Sequence, residues 1–257
     1  MKDAEKYMKR SGFILITCLL ALLAVFSWLW SCAERVSQRP VEDVRFDKAE
    51  ELDTSIRLCH GDDPAFAATL DDYIRCYNSL FEQKVGEGYF PDSTRWQSSS
   101  LKNGIHSRYP SRQFRFSEDE AVYSLPTVTV YTPMEDRSIQ EITLNFDEHS
   151  YTEDGFQRFH QLCADSLRVF FPDLTEAQAS DLADRIISLG NENVFGSDAW
   201  FGSNAVPRGL FYRDGVGIYP YFAIGDWERF CIIPVTAERL QEFKEKGVVL
   251  YALESPS

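Results

Sequence analysis

Residues 13–30 read FILITCLLALLAVFSWLW: 18 positions without a charge, among which only Thr17 and Ser27 are strongly polar. As a helix this run is about 27 Å long, close to the hydrocarbon thickness of a bilayer. Lys2, Lys6, Lys9 and Arg10 precede it, and a basic flank holds that end in the cytoplasm. The sequence therefore predicts a basic cytoplasmic tail at 1–12 and a transmembrane signal anchor or signal segment at 13–31. A tether at 32–47 and an extracytoplasmic domain at 48–257 follow. That domain divides by composition into a helical part, 48–112, and an α+β part, 113–257. The expected location is the cell membrane, single-pass, with the C-terminal domain outside.

Three fates compete for the apolar segment. Its length exceeds the roughly 7–15 residues of a secretory apolar region, which favours an uncleaved anchor. Ser31 and Ala33 form a small-x-small pattern that admits cleavage after Ala33, although bulky Trp28 and Trp30 stand just upstream. Leu29-Trp30-Ser31-Cys32 resembles a lipobox and makes Cys32 the lipidation candidate. Trp30 departs from that pattern, where a small or branched residue usually stands.

The chain carries 26 basic and 40 acidic residues. Removing the tail's four basic and two acidic residues leaves 22 against 38, a net of −16 for the outer part. Such a surface repels phosphate backbones and anionic headgroups, so no nucleic-acid partner is expected. Charge of this kind keeps an extracytoplasmic domain soluble. No segment has the spaced oxygen ligands of a calcium loop. Cys59, Cys76, Cys163 and Cys231 allow three disulfide pairings in an oxidising compartment, and sequence does not choose among them. Cys76 and Cys163 fall near the apolar stripes of expected helices, where a buried thiol is the simpler reading.

Apolar spacing places a short helix at Lys48–Leu58. A firmer one begins at Asp63, which serves as its cap, with Pro64 in its first turn. Phe66, Leu70, Tyr73, Ile74, Tyr77, Leu80 and Phe81 form its stripe, and Gly86 and Gly88 end it. Phe90–Pro110 reads as a polar loop. Its basic and aromatic residues (Arg95, Trp96, Lys102, His106, Arg108, Tyr109), with Arg112 and Arg115 beyond, run against the acidic trend of the chain. They suit an anion-binding or lid segment, or simply neighbouring carboxylates.

From Gln113 the pattern alternates. Phe114 and Phe116, then Thr127–Tyr131, then Ile142, Leu144 and Phe146 read as strands, the last two joined as a hairpin by Pro133–Ser138. Helices follow at Thr152–Phe170, broken by Pro172, and from a Thr175–Gln178 capping box to Gly190. Asp214-Gly215 between Leu210–Arg213 and Val216–Tyr219 is a strong hairpin signal. A strand at Phe230–Val235, a helix at Thr236–Lys246 closed by Gly247 and a strand at Val248–Leu253 complete the chain. The order predicts an α+β domain, a largely antiparallel sheet with helices packed on one face.

His60, His106, His149 and His160 lack metal-binding spacing, and no metal or cofactor is expected. His60-Gly61-Asp62-Asp63 only superficially resembles a metal site. Asp147 and Glu148 beside His149 read as an acidic turn, and His160 as a surface or boundary residue. No glycine-rich phosphate loop or serine elbow is present. The richest surface is Asn191–Pro220, where Asp198, Trp200, Phe201 and Asn204 lie among glycines and small polar residues. Tyr221 and Trp227 lie on or near the following strands. Aromatic faces edged by Asp and Asn suit sugar rings or peptide segments. Trp200 and Phe201 serve equally as plugs for the core. The leading expectation is a membrane-tethered domain that binds a ligand or envelope protein without catalysis. The alternatives are an envelope hydrolase using Glu192, Asp198 or Asp226, and a structural component of an envelope complex.

Overall fold

Alternation at Thr127–Tyr131, Ile142–Phe146 and Phe230–Val235 builds the centre of a large sheet. In the computed structural model the residues described are 51–59, 63–81, 90–102, 109–117, 126–147, 152–192, 209–223 and 227–253. All belong to one compact unit, Phe46–Ser257. The apolar run 13–30, Cys32 and the tether lie outside them. Among the described residues no helix is long and apolar enough to cross a membrane.

The protein is mixed α+β. Strands β1 (Ile56–Cys59), β2 (Asp63–Thr69) and β6 (Ser138–Ile139) form a small antiparallel sheet with β2 in the middle. The large sheet uses β3 (Gln97–Leu101), β4 (Ser111–Ser117), β5 (Thr127–Pro133), β7 (Glu141–Asp147), β8 (Gly209–Arg213), β9 (Val216–Ala223), β10 (Trp227–Pro234) and β11 (Val249–Ala252). Its order is β11-β8-β9-β10-β7-β5-β4-β3. Only the β11–β8 pair is parallel. Asp214 and Gly215 take positive φ of 49° and 84° between β8 and β9, as a tight hairpin turn with the strands' own twist requires.

Four helices are present among the described residues: α1 (Leu70–Ser79), α2 (Glu153–Phe170), α3 (Glu176–Glu192) and α4 (Ala237–Glu245). Each starts at a threonine, Thr69, Thr152, Thr175 or Thr236, whose hydroxyl accepts a backbone N–H from three residues on. That satisfies one of the orphan donors of the first turn. Val128, Val130, Ile142, Leu144, Phe146, Phe230 and Ile232 join Phe159, Leu162 and Leu167 of α2 and Ala179, Leu182 and Ile186 of α3 in the main core. Tyr73 and Tyr77 of α1 complete it. A second core gathers Phe243 of α4 with Leu210, Tyr219, Cys231, Ile233 and Val235. Cys231 and Ile233 alternate with Phe230 and Ile232 along β10, so α4 lies on the face opposite α2 and α3. Helices therefore cover both faces, a correction to the one face expected from the element order, because the β9–β10 end of the sheet is apolar on both.

The N-terminal helices expected from sequence are corrected. Residues 51–55 are irregular, and Ile56–Cys59 form β1 where a helix over Lys48–Leu58 was expected. Asp63–Thr69 are a strand, and Asp63 caps no helix. Pairing with β1 on one side and β6 on the other overrides the helical spacing of Phe66 and Leu70. The helix starts six residues later, at a capping box between Thr69 and Asp72. Pro64 is the second residue of β2, near the strand start where a missing N–H is tolerated. Phe90–Pro110 holds a 3-10 turn, Ser93–Arg95, and β3 rather than loop alone. Gly190 does not end α3, which runs on to Glu192.

Candidate functional site

Strict alternation along β5, β7 and β10 gives the central sheet two different faces. One carries the apolar side chains of the main core. The other carries Thr127, Thr129 and Tyr131, then Glu141, Thr143 and Asn145, then Arg229 and Cys231. Polar side chains opposite a core normally face water. Here Glu141 and Thr143 are each only 2% exposed, Thr129 4% and Asn145 9%.

Register gathers these side chains into cross-strand rows. Thr129, Thr143, Cys231 and Tyr219 form one row across β5, β7, β10 and β9. Thr127, Asn145 and Arg229 form the next, with Tyr221 the register partner of Arg229 on β9. Tyr131 stands opposite Glu141. Directly opposed side chains of neighbouring strands lie about 4.5–5.5 Å apart, within interaction range. The Thr143 hydroxyl donates to Glu141 Oε1 at 2.8 Å. Asn145 Nδ2 donates toward Thr129 Oγ1, Thr127 O and Thr143 O at 3.3–3.4 Å. The Cys231 thiol lies 4.0 Å from Thr143 Oγ1.

Burial decides the protonation of this face. It pushes the Tyr131 phenol well above its ordinary value, and the neighbouring Glu141 carboxylate adds to the shift. Burial raises the Cys231 thiol strongly as well, again helped by Glu141 and only partly offset by Arg229. Both groups are therefore neutral at physiological pH. A thiol held protonated is a poor nucleophile and a poor metal ligand. The face offers hydroxyls, an amide, a guanidinium and one carboxylate: it is equipped to hydrogen-bond a polar group, and its thiol and phenol carry no activated nucleophile.

Of the residues singled out from sequence, Tyr221 and Trp227 fall on β9 and β10, where they are the register partners of Arg229 and Ala223. They occupy the strand ends adjoining the polar rows. Asp198, Trp200, Phe201 and Asn204 lie outside the described residues, as do Asp226, His60, His106, His149 and the lipidation candidate Cys32. Glu192 is the last residue of α3. His160 is largely buried at the α2–α3 boundary, with Nε2 2.8 Å from Asp184 Oδ1. No disulfide joins Cys59, Cys76, Cys163 and Cys231, so none of the three pairings forms. Cys76 and Cys163 are buried on α1 and α2, as their apolar spacing implies.

Sequence reasoning missed Glu141, Thr143, Asn145, Thr129, Tyr131 and Arg229, because a polar residue at every second position reads as a solvated face. One signal was available. Thr127, Thr129, Thr143 and Asn145 are short and uncharged, whereas solvated strand faces usually carry Lys or Glu. Comparisons with protein-family models, with curated proteins and with solved structures find no match to the chain.

Proposed function

We propose that the chain is a membrane-tethered extracytoplasmic domain that binds a ligand or protein partner without catalysis. Binding uses Tyr221 and Trp227, at the strand ends adjoining the buried polar rows of β5, β7 and β10, and the segment Asp198–Asn204. The observation that supports this reading is that register sets Tyr221 opposite Arg229, next to the hydrogen-bonded Asn145 and Thr127 that hold this strand end in place. Residues 13–30 supply the membrane helix or signal segment, and the basic flank orients it with the domain outside.

A photo-crosslinking amino acid in place of Tyr221, introduced in the membrane-bound chain, tests the reading. A discrete adduct of defined mass is expected, and Thr143→Val should reduce its yield. Irradiation that gives no adduct, or an adduct indifferent to Thr143→Val, counts against it. Trp200→Ala separates the loop's two roles. A binding residue leaves the melting temperature within about 1 °C while the adduct is lost. A core plug costs about 3–5 kcal/mol and several degrees, which removes the loop from the site.

A further inference from the structure

The outer edge of the large sheet is β3, separated from β10 by three strands. Gln97–Leu101 pair with Ser111–Arg115 in unbroken antiparallel register, so alternate N–H and C=O groups of β3 turn outward, with no strand beside them among the described residues. Edge strands are commonly protected by lysine, proline or a bulge; Gln97–Leu101 contain none of these. Gln97, Ser98, Ser99 and Ser100 are all exposed. Serine side chains leave room for another strand at the usual spacing of about 4.8 Å.

The charge of the chain reverses at the same edge. Against a net of −14 overall, residues 90–117 hold five Arg or Lys and one acid, Asp92. Arg95 and Lys102 flank β3, Arg115 is the register partner of Gln97, and Arg112 that of Ser100. Among the described residues none of these four cations forms an ion pair. Arg57, Arg75, Arg137, Arg158, Arg168, Arg213 and Lys246 each hold a carboxylate. Cations without an ion-pair partner among the described residues of so acidic a chain mark where an external anion is favoured.

We propose that the β3 edge is a docking strand for an extended, Asp/Glu-rich segment of another protein. The segment adds beside Gln97–Leu101 through backbone hydrogen bonds, which supply affinity, while Arg95, Lys102, Arg112 and Arg115 select acidic side chains. A second copy of this chain fits less well, since two such edges bring like charges together. A lipid headgroup offers no backbone to pair. The site is independent of the polar sheet face and stands even if that face binds nothing.

The test uses the full-length chain in detergent micelles and a fluorescent peptide of about twelve residues alternating Glu and Thr. Its counterparts are a Lys–Thr peptide and a Glu–Thr peptide N-methylated at alternate residues. The Glu–Thr peptide should raise anisotropy on binding, and the Lys–Thr and N-methylated peptides should not. Arg95→Gln with Arg115→Gln should weaken binding about tenfold, and raised salt should weaken it further. Equal binding of the N-methylated peptide overturns strand addition, and no binding of the Glu–Thr peptide overturns the site. Binding of anionic vesicles with loss of peptide binding in their presence overturns the choice of partner in favour of a lipid surface. If the double variant does not fold, the N-methylated peptide, which leaves the protein unaltered, still decides.

Discussion

Tyr73→Phe isolates one buried contact between α1 and α2. Tyr73 is wholly buried, and its hydroxyl meets Ser166 Oγ at 2.9 Å. Phenylalanine keeps the ring contacts with Tyr77, Phe90 and Phe170 and removes only the hydroxyl. The lost hydrogen bond is worth about 1 kcal/mol net, and stranding the buried Ser166 hydroxyl adds about 1–2 kcal/mol. Tyr73→Phe should therefore cost about 2–3 kcal/mol in urea denaturation, with the denaturant slope unchanged. Ser166→Ala should cost a similar amount, and the double variant less than the sum, with a coupling on the order of 1 kcal/mol.

The same site has a pH signature. Burial raises the Tyr73 phenol far above its ordinary value of 10.0. A raised folded pKa contributes stability that is complete below the unfolded value and is lost as pH rises toward the folded one. Tyr131 and Cys231 are shifted in the same direction. Stability should thus fall steeply above about pH 10, by up to about 1.4 kcal/mol per pH unit for each group. Tyr73→Phe should flatten that fall. Additive single costs together with an unchanged alkaline slope would refute the buried Tyr73–Ser166 contact.

Leu167 is fully buried on α2, and Leu167→Ala should cost about 2–5 kcal/mol; a loss under about 0.5 kcal/mol in chemical denaturation would mean that its face of the helix is not in the core. At Gly217 an added Cβ would stand 2.5 Å from Val235 Cγ2 and 3.0 Å from Leu210 Cδ1. Gly217→Ala should cost about 1–3 kcal/mol through overpacking, seen as a lower melting temperature. Burial raises the Asp165 carboxyl despite Gln161 and Arg168 beside it. The stability it confers is present when it is protonated and is lost as pH rises through its folded pKa. Asp165→Asn should raise the melting temperature at neutral pH, with the gain disappearing as acid protonates the native carboxyl.

What was legible in the sequence follows from how local its cause is. The α2 and α3 helices carry long apolar stripes and threonine caps within their own segments, and they form where spacing places them. Asp214-Gly215 dictates its turn through two backbone conformations and needs no distant partner. Asp63–Thr69 fails for the opposite reason. Its apolar spacing fits a helix, but β1 before it and Ser138–Ile139 some seventy residues away make it a strand. Such pairing is non-local and leaves no trace in a short window. The polar face was hidden in the same way. Thr143 and Asn145 look solvated on β7 alone, and only the neighbouring strands and what covers them turn that face inward. Tyr221 and Trp227 stand out individually in the sequence as aromatics beside a hairpin. Arg229 does not, because only register puts it opposite Tyr221.

The central claim is that the folded domain lies outside the membrane as a binding module, and a thiol on β3 tests its topology directly. Ser100 is exposed, whereas Cys76, Cys163 and Cys231 are buried and shielded from reagent. Ser100→Cys, on a background of Cys59→Ser and Cys32→Ser, is treated with a membrane-impermeant maleimide in intact spheroplasts. The account predicts labelling before the membrane is permeabilised, to the same extent as after. Labelling that appears only once the membrane is opened would place the domain in the cytoplasm and contradict it.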